Sequence, residues 1–152
     1  MDIAVSYDPT KRCCDVVFTG RDFARDATPA SALLLSLGTD RRAHADDTLP
    51  DAYDDLNPAA PAGLLGRRGW CGDALDRQAR RIGSRLWLLN REKATEATRR
   101  KAEAIIAEAV AWLRTERGYA LDITVRWLTK TTLGFRVRAG ISTVALQQAV
   151  GA

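Results

Sequence analysis

The sequence predicts an α+β fold formed by a single domain over residues 1–152, with an antiparallel or mixed sheet covered by helices on one face. Two observations predict this class. Apolar residues alternate with polar ones near both ends of the chain, which is typical of strands that bury one face. A long stretch at about 96–117 repeats its apolar residues with the period of a helix. A chain of 152 residues is also long enough to bury a core without a metal or a disulfide.

The first predicted elements are a hairpin and a helix. Asp8-Pro9 supplies turn chemistry between two short alternating strands. The alternating apolar residues are Ile3, Val5 and Tyr7 in the first strand and Cys14, Val16 and Phe18 in the second. Thr28 followed by Pro29 predicts a helix start, with Thr28 as the capping residue and Pro29 at the first helical position, and Gly38 predicts the end.

The segment 39–69 has no visible period and is rich in Pro, Ala and Asp. We therefore expect a long acidic loop that buries little surface and is the first site of limited proteolysis. A connection of this length inside a compact domain is usually functional or partly disordered.

The second half of the chain begins with the long helix, for which Thr95 is the predicted cap and Gly118 the predicted end. Its apolar face comprises Ala102, Ile105, Ala109, Trp112 and Leu113. Two alternating strands follow at 121–127 and 133–139, and their arginines lie on the face opposite the apolar residues. The tail at 142–150 fits either a third strand or a helical turn.

The net charge of +4 is unevenly distributed along the chain. Residues 40–66 carry six acids and two bases, a net −4, whereas residues 67–101 carry eleven bases and four acids, a net +7. This division predicts contact with an acidic surface, with nucleic acid or with the acidic half of another copy, or else a solvated basic helix face. The short apolar runs predict no membrane span, and the three cysteines, without metal-ligand spacing, fit a reducing cytoplasm.

Residue types that support catalysis are sparse. His44 is the single histidine and lies in an acidic stretch, where a surface position is expected. Asp46 and Asp54 each begin a pair of adjacent acids on the predicted loop, which is a poor frame for paired carboxylates. Cys71 has no histidine close in sequence to act as its base. We therefore expect no catalytic residue, no metal site, no cofactor and no enzymatic activity.

The segment 66–93 instead combines two tryptophans, four glycines and seven arginines. Tryptophan and arginine are enriched in protein interfaces, and glycine permits close backbone approach. For Trp87 the pattern fits a core position as well as an interface. The predicted interface residues are Arg67, Arg68, Gly69, Trp70, Gly72, Asp73, Arg81, Gly83, Ser84, Arg85 and Trp87.

Several stretches resemble the Mu-type phage baseplate protein family in order and spacing. They are "MDIAVSYD" at the start, "TDRRAHADDTLPD" at 39–51, "GRRGWCGD" at 66–73 and "RIGSRLWLLNREKATEATRRKAEAIIAEAVAWL" at 81–113. That family looks distantly similar to the T-even baseplate wedge subunit and to its type VI secretion counterpart. The boxes at 66–73 and 83–89 carry the resemblance most specifically.

The resemblance implies a structural protein that occurs in several copies in the baseplate of a contractile tail, as a wedge component at the sheath-proximal inner ring. Its implied partners are other wedge proteins and sheath, hub or tube proteins. Its implied location is the virion tail, and the host cytoplasm during assembly. Two alternatives remain open: a basic nucleic-acid-binding module using Arg77 to Lys101, and a tail-associated hydrolase.

Overall fold

The computed structural model describes residues 2–8, 10–11, 13–50, 66–77 and 80–151. These ranges form an α+β fold, as the sequence predicts. The elements in chain order are strands β1 (Asp2–Ile3), β2 (Val5–Asp8), β3 (Cys13–Val16), β4 (Phe18–Thr19), β5 (Asp22–Phe23) and β6 (Arg25–Asp26), helix α1 (Ala30–Gly38), 3-10 helices η1 (Cys71–Leu75) and η2 (Leu86–Arg91), helix α2 (Glu96–Thr115), and strands β7 (Leu121–Thr129), β8 (Thr132–Ala139) and β9 (Ser142–Ala149).

The N-terminal region is a three-armed β junction rather than one hairpin. Strand β2 pairs with β3, β1 pairs with β6, and β4 pairs with β5, all antiparallel. The arms meet at a ring of three backbone hydrogen bonds. Ala4 donates to Ala24 at 2.8 Å, Ala24 donates to Val17 at 2.8 Å, and Val17 donates to Ala4 at 2.9 Å. The ring satisfies the amide groups at the point where each strand is interrupted.

The predicted hairpin is therefore confirmed only in part. Tyr7 lies opposite Cys14 and Val5 opposite Val16, as the alternation predicts. Phe18 does not continue that ladder, because it pairs with Phe23 across the turn of the third arm. The two rings lie 5.0 Å apart between centroids, and both are exposed.

The start of α1 differs from the prediction. Pro29 occupies the N-cap position instead of the first helical position. The Thr28 hydroxyl accepts from the Ala30 amide at 3.3 Å, and the closer acceptor is Asp26. Its carboxylate accepts from the Ser31 amide at 3.0 Å and from the Ser31 hydroxyl at 2.7 Å. The cap comes from a residue in strand β6, so the helix start is fixed by the β junction.

Helix α2 begins at its predicted cap, where the Thr95 hydroxyl accepts from the Thr98 amide at 3.2 Å. It ends two residues before the predicted Arg117. Gly118 adopts a positive φ of 70° there, and its amide donates to Arg114. The predicted apolar face is buried except for Trp112, which is half-buried.

The C-terminal strands form a three-stranded antiparallel sheet in the order β7-β8-β9. The tail that the sequence left open is therefore a strand. One face of the sheet packs against α1, α2 and η2 around a core that includes Leu33, Leu89, Ile106, Leu133 and Val137. The arginines of β7 and β8 lie on the opposite, exposed face. Neither α-helix in the described ranges has the length and apolar character needed to cross a membrane.

The predicted acidic loop falls partly outside the described residues, which omit 51–65. Over 39–50 it contains an isolated bridge, from Asp40 to Ser84. Ala43 and Leu49 are buried in a second small core with Trp87 and Leu88. This part of the loop therefore buries apolar side chains, contrary to the expectation from its composition. The reason is that residues 67–101, which we call the basic segment, provide Trp87 and Leu88 as an apolar surface for it.

Candidate protein–protein interface

Backbone contacts at positions 83 and 84 join the basic segment to the residues that follow α1. Ser84 donates its amide to Thr39 at 2.8 Å and accepts from Arg41 at 2.9 Å. Gly83 has a φ of 97°, and a Cβ added there would lie 2.4 Å from the Thr39 carbonyl oxygen. A residue without a side chain is thus required where the two backbones meet.

Trp87 lies inside the protein, with 3% of its surface exposed. Its indole Nε1 donates to the Arg41 carbonyl at 2.9 Å. The Arg68 guanidinium covers the ring, 4.6 Å from its centroid, and also pairs with Asp40 at 2.8 Å. The sequence fitted either a core or an interface position for Trp87; in this structure the residue supports the segment from within.

Arg85 joins three elements through two carboxylates. It lies 2.7 Å from Asp47 in the acidic segment and 2.7 Å from Glu108 on α2. Burial alone would raise the pKa of Asp47, but hydrogen bonds from Arg85 and from the His44 amide hold it below its usual value. Arg41 lies 3.4 Å from Glu108 and extends the network.

Arg67 also forms hydrogen bonds within the chain. Its guanidinium donates to the carbonyls of His44 and Ala45, and its own carbonyl accepts from the Ala43 amide at 2.9 Å. Gly69 follows with a φ of 101°, and a Cβ added there would lie 2.6 Å from Arg42. The turn at 67–69 therefore packs directly against residues 42–45 of the acidic stretch.

These contacts explain part of the charge division. The acids at 40–47 neutralise arginines of the basic segment inside one chain, as the Asp40–Arg68 and Asp47–Arg85 pairs show. Asp47 and Glu108 were not among the predicted residues. Their partner Arg85 lies 38 and 23 positions away, so no local spacing indicates them, and the charge division predicted contacts with other molecules or a solvated face instead of pairing within the chain.

Trp70 differs from Trp87 because it is 53% exposed. Its ring lies against Gly72, where an added Cβ would come within 2.3 Å of the indole. Asp73 accepts from the Ile82 amide at 3.1 Å and so joins the two ends of the segment 70–82. Four of the exposed side chains of this segment make up what we call the Trp70 surface, namely Trp70, Leu75, Arg81 and Ile82.

The predicted interface residues thus divide by position. The exposed residues are Arg68, Gly69, Trp70 and Arg81. The buried residues are Gly83, Ser84 and Trp87, and the half-buried residues are Arg67, Gly72, Asp73 and Arg85. The buried and half-buried members build the frame that carries the exposed ones. The interface itself stays a prediction.

Within the described ranges, no hydrogen bond or ion pair joins His44, Asp46 and Cys71, the residues considered for catalysis, to one another. His44 lies 3.5 Å from Glu108, within the ion-pair network of Arg85. Cys71 is exposed at the start of η1. Asp54 lies outside the described residues.

This structure defines a class: a small α+β protein that presents an exposed tryptophan and arginine on a rigid, internally paired frame. Comparisons with known proteins identify the family. The family model described as phage protein GP46 matches residues 29–145. The baseplate protein gp46 of Escherichia phage Mu is 45% identical over 112 residues, which cover 74% of this chain and 68% of the relative. No solved structure matches.

The chain therefore belongs to the GP46 family of phage proteins, and the resemblance to Mu-type baseplate proteins is confirmed.

Proposed function

We propose that this protein is a structural wedge subunit of a contractile-tail baseplate, placed at the sheath-proximal end and acting through protein contacts instead of catalysis. The similarity to a phage Mu baseplate protein supports the baseplate assignment. Its partners are other wedge proteins together with sheath, hub or tube proteins, and its place is the virion tail after assembly in the host cytoplasm.

The observation that carries this proposal is the exposure of Trp70 on a fixed turn. A tryptophan on the surface exposes a large apolar area to water. When a partner covers such a residue, it often contributes a large part of the binding free energy. Trp70 is 53% exposed, and Leu75 in the same segment is 84% exposed. Arg81 of the same segment is also exposed and supplies a cation.

The frame beneath the Trp70 surface makes it a suitable docking site. Asp73 and Gly72 hold the turn, and Arg67 and Arg85 tie the adjoining segments to the rest of the chain. A preorganised surface loses little conformational entropy on binding.

The test is complementation of a phage that carries a nonsense codon in this gene. Plasmid copies encoding Trp70→Ala and Leu75→Ala should give few contractile particles, whereas Ile141→Ala should restore them. Ile141 is a matched control, because it is 91% exposed in the turn between β8 and β9. Each purified variant should melt within a few degrees of the wild type. Normal particle numbers with Trp70→Ala would refute this role of the surface.

A further inference from the structure

The C-terminal sheet has an exposed face whose composition points to a second docking site. This outer sheet face is opposite the one that packs on α2. It includes a shallow concavity of about 190 Å³, lined by Thr124, Arg126, Leu128, Arg136, Ala145 and Gln147 among others. In the described part of the chain these side chains, all exposed, cover no other element.

Two arginines on this face have no hydrogen bond or ion pair within the described ranges. Arg126 on β7 and Arg136 on β8 are diagonal neighbours, since Arg126 lies opposite Gly134 and Arg136 opposite Thr124. Arg138 has an acid, Asp122, at 3.6 Å, but both of those side chains are more than 60% exposed. An exposed pair of this kind neutralises little. The face therefore carries an uncompensated positive charge.

The floor between the arginines is low and partly apolar. Gly134 has no side chain and is covered by Leu128, whose own surface is 42% exposed. Ala145 lies opposite Arg136 on the neighbouring strand. Three strands give a floor roughly 10–14 Å wide, which matches the diameter of one α-helix with its side chains.

We propose that the outer sheet face binds an acidic amphipathic helix of a partner protein. The apolar stripe of that helix would cover Leu128 and Ala145, and its carboxylates would pair with Arg126 and Arg136. Docking would place a helix on each face of the sheet, with α2 on one side and the partner helix on the other. This site is separate from the Trp70 surface and does not depend on it.

The chemistry of the face favours protein over nucleic acid. Nucleic-acid surfaces combine many phosphate contacts with aromatic side chains that stack on bases. The outward positions of the three strands include three arginines and one aspartate, and no outward position carries an aromatic side chain. An exposed leucine at the centre of the face is better matched by an apolar stripe than by phosphates.

The test uses the full chain labelled with ¹⁵N and a synthetic helical peptide of roughly 18 residues, with glutamates on both sides of a leucine–alanine stripe. Controls are the same peptide with each glutamate replaced by lysine, and a short DNA duplex. We expect amide shifts confined to the outer sheet face, with Thr124, Arg136 and Ala145 among them. The double variant Arg126→Glu, Arg136→Glu should weaken peptide binding by about tenfold or more.

The matched control is the double variant Arg100→Glu, Arg114→Glu, which reverses the same charge on exposed positions of α2. It should bind the peptide within about twofold of the wild type. An unchanged amide spectrum of Arg136→Gln verifies that the sheet folds without the charge. Shifts that map to 67–91, or absence of binding at millimolar peptide, would overturn the proposal. Tighter binding of duplex DNA at the same amides would replace it with a nucleic-acid site.

Discussion

The indole ring of Trp70 lies against the backbone of Gly72, so closely that a Cβ on Gly72 would come within 2.3 Å of the ring. Gly72 does not adopt a positive φ, so the reason for glycine here is space for the ring. The absence of a side chain at 72 therefore sets the direction in which Trp70 points.

The variant Gly72→Ala tests this relationship. The new methyl group should push the exposed indole away while the fold stays intact, since an exposed ring can rotate into solvent. We expect a change in free energy of unfolding of less than about 1 kcal/mol and a shift of the Trp70 indole N–H resonance. Particle assembly should fall with the redirected ring. An unshifted indole resonance would show that Gly72 does not direct the side chain.

Trp112 and Trp70 should differ in how much their truncation destabilises the protein. Trp112 packs on the core from α2, and its Nε1 donates to the Ser36 hydroxyl at 3.0 Å. Trp112→Ala should therefore lower the free energy of unfolding by about 3 kcal/mol, while Trp70→Ala should change it by less than about 1 kcal/mol. Urea denaturation of both variants measures this difference. Equal losses would place Trp70 in the core.

Arg85→Met tests the ion-pair network. The arginine is 15% exposed, and its loss leaves Asp47, 13% exposed, and Glu108 without their main partner. We expect the free energy of unfolding to fall by about 2–3 kcal/mol, because the half-buried Asp47 carboxylate would be left without an ion pair. Arg100→Met is the control, since the Arg100 side chain is 76% exposed, and it should have almost no effect. Similar losses for both variants would show that the network adds nothing.

Asp26 makes the free energy of unfolding depend on pH. Burial would raise the pKa of Asp26, but hydrogen bonds from Thr28 and Ser31 hold it well below its usual value. A carboxyl with a depressed folded-state pKa stabilises the fold above its unfolded pKa of about 4, and this contribution is lost as the pH falls below that value. Asp26→Ala should cost about 2 kcal/mol at pH 7.

The measurement is urea denaturation of the wild type and of Asp26→Ala at pH 7 and pH 3. The difference between the two proteins should shrink at pH 3, where the carboxyl of Asp26 is mostly protonated in the unfolded wild-type chain. A difference that stays constant between the two pH values would mean that the ionised carboxylate is not the source of the stabilisation.

Gly83 and Gly118 form a matched pair for substitution by alanine. Both have positive φ, 97° and 70°, but only Gly83 faces another backbone, with the Thr39 oxygen 2.4 Å from an added Cβ. Gly118→Ala should cost about 1 kcal/mol, from backbone strain alone. Gly83→Ala should cost about 3 kcal/mol or more, since the bridge between 40 and 84 must also shift. Thermal melting that ranks the two variants in the opposite order would contradict the close approach at Gly83.

Local pattern was sufficient to predict α2, β7 and β8, whereas it left β9 open. The alternation at 121–127 and 133–139 and the cap at Thr95 fix elements whose hydrogen bonds are near in sequence. The β junction was missed because its ring joins Ala4, Val17 and Ala24, residues with no turn or cap chemistry. Arg85 and Trp87 have neighbours like those of Trp70, yet only contacts with distant residues such as Asp47 decide which of them are buried.

The capping of α1 by Asp26 has a practical consequence for dissecting this gene. The region recognised by the family model runs from 29 to 145. A fragment cut at those borders would remove Asp26 from the start of α1 and would also remove Val5, whose amide donates to the Ser31 hydroxyl at 2.9 Å. At the other border it would divide β9, which extends from Ser142 to Ala149. The stretch by which relatives are recognised is therefore shorter than the stretch that holds α1 and β9 in place, and a fragment for biochemistry should extend beyond it at both ends.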